Sequence, residues 1–190
     1  MKLGLMGGMF DPIHFGHLRA AENAREALGL DQVNFVPAAV PPHRAAPTAS
    51  AIDRYAMVAL ATAGDPGFVP WDGEIRRDGA SYTVDTAAAL LAENPGADLT
   101  LIVGADNLAL LPQWKDPERL LAMCTVAVVG RPGQEVSPAG LDPARFVHVE
   151  GSQLPIASSA LRERVRTGRS VRYFVPDAVA GYIDKRGLYR

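Results

Sequence analysis

The first apolar run, KLGLMG over 2–7, is short, continuous and closed by glycine, the pattern of a parallel strand buried on both faces. Apolar positions then take helical spacing over 17–30, where Leu18, Ala21, Ala24 and Leu28 fall on one side and Gly29 supplies a stop. QVNFVPA (32–38) predicts a second strand, VPPHRAAPTAS (40–50) a proline-rich loop, and IDRYAMVALATAG (52–64) a helix ended by glycine. The stretch 67–84 reads as short strands and loops, and 83–96 as a helix stopped by Pro95 and Gly96. DLTLIVG (98–104) and TVAVVG (125–130) predict two more buried strands, with short helices broken by Pro112 and Pro117 between them. RFVHVEG (145–151) predicts a late strand, and 158–168 and 176–187 predict two last helices, each closed by glycine.

Strands and helices therefore alternate, and the strands are apolar throughout. This predicts an α/β fold, a parallel sheet with helices on both faces, in a single domain over 1–190 without repeats or linkers. Ligands of such sheets bind beyond the carboxyl ends of the strands, near a topological switch point. The stretch GGMFDPIHFGHL (7–18), GADN (104–107) and GRPG (130–133) all follow strand ends, so three segments are expected to converge on one edge of the sheet.

Composition narrows the partners. A net charge of -2 gives no sign of a polyanion-binding surface, so small molecules are expected and nucleic acid is not. The single cysteine, Cys124, excludes an internal disulfide, fits a reducing compartment and reads as a buried core thiol. MKLGLMGGMF is too short and glycine-rich for a signal segment, and no run reaches the length of a membrane span, so a soluble, cytoplasmic protein is expected. No surface stripe announces an interface, and a homo-oligomer is left open.

Gly7 and Gly8 allow a sharp turn and close approach to a ligand, and the helix starting near Gly16 aims its N-terminal N–H groups at that turn, a ready anion site. His14 and His17 share a face if that helix begins early enough, and imidazoles there can donate to phosphate oxygens. The stretch matches neither a Walker A loop nor G-x-G-x-x-G, and a zinc site on the two histidines lacks a third ligand nearby. In PIASSALRERVR (155–166), Ser158 or Ser159 is a natural helix cap, and Arg162 lies one turn beyond Ser159, forming a second anion site. Arg164, Arg166 and Arg169 read as a solvated face. PPHR (41–44) is a stiff loop carrying His43 and Arg44, which could close over phosphates. SYTVDT (81–86) and LPQWKD (111–116) could cradle a flat ring on Trp114, although a tryptophan standing alone is more often core. Two phosphate sites without a nucleophile poised by a base point to direct transfer, one phosphate attacking another while pyrophosphate leaves, with a divalent ion offsetting charge.

GGMFDPIHFGH resembles the G-G-[ST]-F-D-P-x-H-x-G-H signature of the Rossmann-like nucleotidyltransferase superfamily, and IASSALR resembles its second signature, I-S-S-[ST]-x-[IL]-R. With VPPHR, SYTVDT, VGADNL, LPQW, GRPG and VAGYIDKRGLYR, in order along residues 2–190, the chain is similar to bacterial nicotinate-mononucleotide adenylyltransferases. The resemblance implies a Rossmann-like, doubly wound sheet, with the helices of about 158–190 completing the site. It implies AMP transfer from ATP to nicotinate mononucleotide, giving deamido-NAD and pyrophosphate with magnesium (Mg2+), the metal held mainly by ATP phosphates rather than by side chains. His14, His17, Arg44 and Arg162 would be catalytic. Gly7, Gly8, Met9, Phe10, Gly104, Asp106, Arg131 and Ser159 would join His14, His17 and Arg162 in binding ATP. Tyr82, Thr83 and Trp114 would seat the pyridine ring, with backbone N–H groups selecting its carboxylate. Two positions depart from the signatures: Met9 stands where a hydroxyl residue is usual, and Ala157 where the first serine would be. Phosphopantetheine adenylyltransferases share the opening signature but do not call for SYTVDT and LPQW. A non-catalytic sensor is disfavoured because His14, His17 and Arg162 are all present.

Overall fold

In the computed structural model the described residues are 1–42, 46–130, 142–152 and 154–190. Among them, six parallel strands form one sheet: β1 (Lys2–Gly8), β2 (Gln32–Pro37), β3 (Phe68–Pro70), β4 (Asp98–Gly104), β5 (Cys124–Gly130) and β6 (Phe146–Glu150). Their order is β3-β2-β1-β4-β5-β6. The chain winds outward in one direction from β1 and then in the other from β4, so the switch point lies between these two strands, which are the first and fourth in sequence.

The helices are α1 (Phe15–Leu28), α2 (Ala51–Thr62), α3 (Gly73–Arg76), α4 (Thr83–Glu93), α5 (Ala105–Leu108), α6 (Pro117–Met123), α7 (Ser158–Arg166) and α8 (Asp177–Arg186). The period of two along each strand divides the apolar side chains between two cores. Val33, Phe35, Ile102, Ala127 and Val129 bury against Ala21, Ala24, Met57, Val58, Val179 and Ile183 of α1, α2 and α8. Leu3, Leu5, Leu99, Leu101, Val126 and Val128 bury on the other side against Val84, Ala87, Leu90, Leu120 and Leu121 of α4 and α6. Cys124 lies in this second core, and its thiol donates to the Leu120 carbonyl at 3.2 Å. Burial pushes the thiol pKa up to about 12, so it stays protonated and unreactive at neutral pH.

Two expectations shift at the helix ends. α1 begins at Phe15, two residues before the apolar periodicity, because His14 supplies the extended capping position. Neither Ser158 nor Ser159 caps α7: Ala157 holds that position without a side-chain bond. The Ser158 hydroxyl instead donates to the Pro12 carbonyl at 3.0 Å, a partner 146 positions away that no local pattern announces. The last helix is fixed to α2 through Asp53, which accepts from Ser50 at 2.6 Å, Tyr182 at 2.9 Å and Arg186 at 3.1 Å. None of the helices described is long and apolar enough to cross a membrane.

Candidate active site

A cleft of about 1070 Å³ opens at the carboxyl ends of β1 and β4. The end of β1, the turn after it and the start of α1 line it with Gly7, Gly8, Met9, Phe10, His14 and His17, Gly104 lines it at the end of β4, and Ser159 and Arg162 line it from α7. Tyr82, Thr83 and Trp114 complete it. These segments therefore meet at one site, as the motifs predict. Arg44 and Arg131, and with Arg131 most of GRPG, lie outside the described residues, as does the side chain of Asp106. A side chain at Gly7 or Gly104 would meet nothing within 4 Å, so the space left by both glycines opens into the cleft.

His14 precedes α1 and His17 is its third residue, so helical geometry stacks their rings at 3.7 Å with an interplanar angle of 20°. The backbone N–H of His14 donates to His17 Nδ1 at 3.3 Å. That bond consumes the Nδ1 lone pair of a neutral His17 and leaves the proton on Nε2, the remaining donor. Phe10 stands edge-on to the His17 ring at 5.1 Å and backs it. Parallel rings do not aim two lone pairs at one point, which disfavours the pair as a metal chelate. The described residues contain no group of three or more His, Cys, Asp or Glu able to hold a metal ion. Gly16 explains why the histidines are separated as they are: a Cβ there would come within 2.9 Å of His14 Nδ1 and 3.3 Å of the Leu154 carbonyl.

Both imidazoles resist protonation. Burial lowers the His14 pKa from 6.5 to about 4, and burial together with the neighbouring His14 pushes His17 well down. Each is neutral at pH 7 in the free protein and acts as a hydrogen-bond donor rather than a fixed cation. A consequence for stability follows from linkage. Between pH 6.5 and about 4 the unfolded chain binds protons that the folded chain refuses, so stability is full above pH 6.5 and falls as pH drops. His14 alone is expected to remove about 3 kcal/mol across that window. Urea unfolding from pH 7 to 4 checks this: the slope should flatten in His14→Asn. Asp53, held below its usual range chiefly by the Ser50 hydroxyl, contributes its own loss only at lower pH.

Two buried charged residues that the sequence reading did not single out hold the turn after β1; Gly7 and Gly8, expected to make that turn, are instead the last two residues of the strand, paired with Val36 and Pro37, and the positive φ falls at Phe10, at 47°. Arg54 is fully buried on α2 and donates to three carbonyls, Met9 at 2.7 Å, Ala38 at 2.6 Å and Ala49 at 3.2 Å. The available signal was its phase, since Arg54 shares a helical face with Met57 and Val58. Asp11 is 3% exposed and accepts from the N–H groups of Thr48 and Ala49 at 2.8 and 3.1 Å. Its carbonyl accepts Arg162 Nη1 at 2.8 Å, which ties α7 to the turn carrying His14. Met9, where the signature has a hydroxyl residue, thus contributes its backbone carbonyl to the Arg54 anchor.

Across the cleft, Ser81 accepts from the N–H groups of Ala39 and Val40 at 2.9 and 3.1 Å, joining the β2 loop to the start of α4. Tyr82 caps α4 by backbone conformation, so the first N–H groups of that helix have no capping side chain. Lys115 places its ammonium 4.6 Å from the Tyr82 ring and 3.0 Å from Asp85. Trp114 is half-buried: it packs on the second core and also lines the cleft.

Residues 5–164, which hold the histidine pair at the start of α1 and Arg162 on α7, match the cytidylyltransferase-like family, and the class is that of the nucleotidyltransferases. A probable nicotinate-nucleotide adenylyltransferase of Thermus thermophilus is 47% identical over 190 residues, covering 100% of both chains. One of Herpetosiphon aurantiacus is 43% identical over 194 residues, covering 99% of this chain and 98% of that one. The chain belongs to the nicotinate-nucleotide adenylyltransferase family. Its fold is also that of a Plasmodium falciparum nicotinic acid mononucleotide adenylyltransferase complexed with NaAD, with a TM-score of 0.77 at 16% identity, covering 99% of this chain and 97% of that one.

Proposed function

We propose that the cleft aligns two phosphates for direct in-line transfer, with no enzyme-bound intermediate. A 5′-phosphate oxygen of nicotinate mononucleotide forms a bond to the α-phosphorus of ATP. The bond from that phosphorus to the β-phosphate oxygen breaks, and pyrophosphate leaves with the electron pair. The chain transfers AMP from ATP to nicotinate mononucleotide, giving deamido-NAD and pyrophosphate in NAD biosynthesis. The observation that carries the proposed mechanism is the stacked His14–His17 pair at the start of α1, facing the same cleft as Arg162.

In this reading His17 Nε2–H donates to the α-phosphoryl oxygens as charge builds on them, and His14 holds the adjoining phosphates. Arg162, Ser159 and the free N–H groups of α7 take the remaining phosphate charge, aided by Arg44. Gly7, Gly8, Met9 and Phe10 pass along the nucleotide by backbone, and Gly104, Asp106 and Arg131 take the adenosine side. Magnesium bound to the ATP phosphates would offset their charge. Both Asp11 carboxylate oxygens already accept protein donors, which fits a metal carried by the phosphates. The pyridine ring stacks on Trp114, and N–H groups at Tyr82 and Thr83 take its carboxylate. A site of donors favours the acid over the amide.

The test is pyrophosphate release with ATP, magnesium and one acceptor at a time: nicotinate mononucleotide, nicotinamide mononucleotide or phosphopantetheine. Release fastest with the nicotinate acceptor is expected. Trp114→Ala should raise KM for that acceptor by about tenfold, the loss of one stacking contact, and leave KM for ATP unchanged. Equal effects on both substrates would place Trp114 in the core alone.

A further inference from the structure

The mechanism leaves Tyr189 unused. It follows α8 and Gly187, and its backbone sits at φ 66°, a region that bulky residues rarely enter. Its side chain is nonetheless buried, and its hydroxyl donates to Asp11 Oδ1 at 2.8 Å across 178 positions of sequence. A strained turn that persists in order to bury one hydroxyl against one carboxylate is held there by its surroundings and points to a role.

That role is visible in what else reaches Asp11. Oδ1 also accepts from Ala49 N–H, and Oδ2 accepts from Thr48 N–H. Arg162 Nη1 bonds to the Asp11 backbone carbonyl at 2.8 Å but stays 3.8 Å from Oδ2. The guanidinium thus stands beside a buried carboxylate without being hydrogen-bonded to it. A buried carboxylate that loses a donor recruits the strongest donor in reach, and here that donor is Arg162.

We infer that Tyr189 is a positioning residue for Arg162: its hydroxyl satisfies the Asp11 carboxylate, so the guanidinium remains on the backbone carbonyl and faces the cleft. The inference rests on the reading of Arg162 as a phosphate-binding residue. Without the hydroxyl, Arg162 turns onto the carboxylate and away from the phosphates.

The experiment compares Tyr189→Phe with Tyr182→Phe in the full chain. Tyr182 also gives one hydroxyl to a buried aspartate, Asp53, but away from the cleft, so it controls for the lost hydrogen bond itself. Similar falls in Tm are expected for both. Tyr189→Phe should lower kcat about tenfold without changing KM for the mononucleotide, while Tyr182→Phe keeps kcat within about twofold. Added to Arg162→Met, Tyr189→Phe should lower kcat by less than about twofold more, because the two substitutions remove one shared interaction. An unchanged kcat in Tyr189→Phe, an equal loss in Tyr182→Phe, or a full tenfold loss on top of Arg162→Met would each overturn the positioning role. Wild-type kcat in Arg162→Met alone would instead overturn the reading of Arg162, and this inference with it.

Discussion

His17→Ala is expected to lower kcat by about a hundred- to a thousandfold while leaving the dissociation constant for ATP within about threefold. The asymmetry comes from where the donor stands. His17 Nδ1 is committed to the His14 N–H, so the proton on Nε2 is fixed in place before substrate arrives. In the proposed mechanism the triphosphate of ATP also meets the starts of α1 and α7 and Arg162, so one lost donor is a small part of ground-state binding. In the transition state, charge spreads over the oxygens of the transferring phosphoryl group, and a preorganised donor there has no substitute. The low basicity of the pair adds to this, since a neutral imidazole binds the resting nucleotide less strongly than a cation would. Steady-state kcat with calorimetric ATP binding checks the split. Equal losses in both would show His17 to be a general phosphate anchor, and no loss of turnover would remove it from the chemistry.

Arg54→Met should lower the unfolding free energy by about 4 kcal/mol, the range for breaking a buried charged network by removing one member. Methionine can refill the volume of the stem but offers no donor. The carbonyls of Met9, Ala38 and Ala49 would then be left buried without the guanidinium they share, each at a cost of about 1–3 kcal/mol. Relief from burying the charge, which also lowers the Arg54 pKa, offsets part of that sum. Because Met9 opens the turn between β1 and His14, kcat should fall along with stability even though Arg54 does not line the cleft. Urea unfolding at neutral pH measures the change. A loss below about 1 kcal/mol would mean that water or a shifted backbone takes over all three carbonyls.

Much of the frame was legible because its causes are local. The continuous apolar runs of β1, β4 and β5 carry their burial on both faces in their composition, and Gly29, Gly168 and Gly187 close helices at φ 60°, 71° and 63° as their positions predict. The site motifs were legible for a related reason. His14, Gly16 and His17 act on one another within a single turn, so their spacing already encodes the ring stacking and the gap that Gly16 leaves. The helix-cap reading of Ser158 failed because its hydroxyl has a better partner in Pro12, far away in sequence. Trp71 gave no local sign of its buried place or of its indole N–H bond to Glu93 at 2.9 Å.

By itself, then, the sequence determined the alternation of strands and helices, the glycine stops and the chemistry offered at the β1 turn, since each depends on neighbours within a few positions. Only the tertiary structure decided the supports of that chemistry. Arg54 could be buried only because three carbonyls from two loops, Met9 after β1 and Ala38 and Ala49 between β2 and α2, converge on it. Asp11 could serve as a junction only because Thr48, Ala49, Arg162 and Tyr189 are brought to it from across the chain. A buried charge is stable where its partners are assembled around it, and that assembly is a property of the packed fold rather than of any one segment.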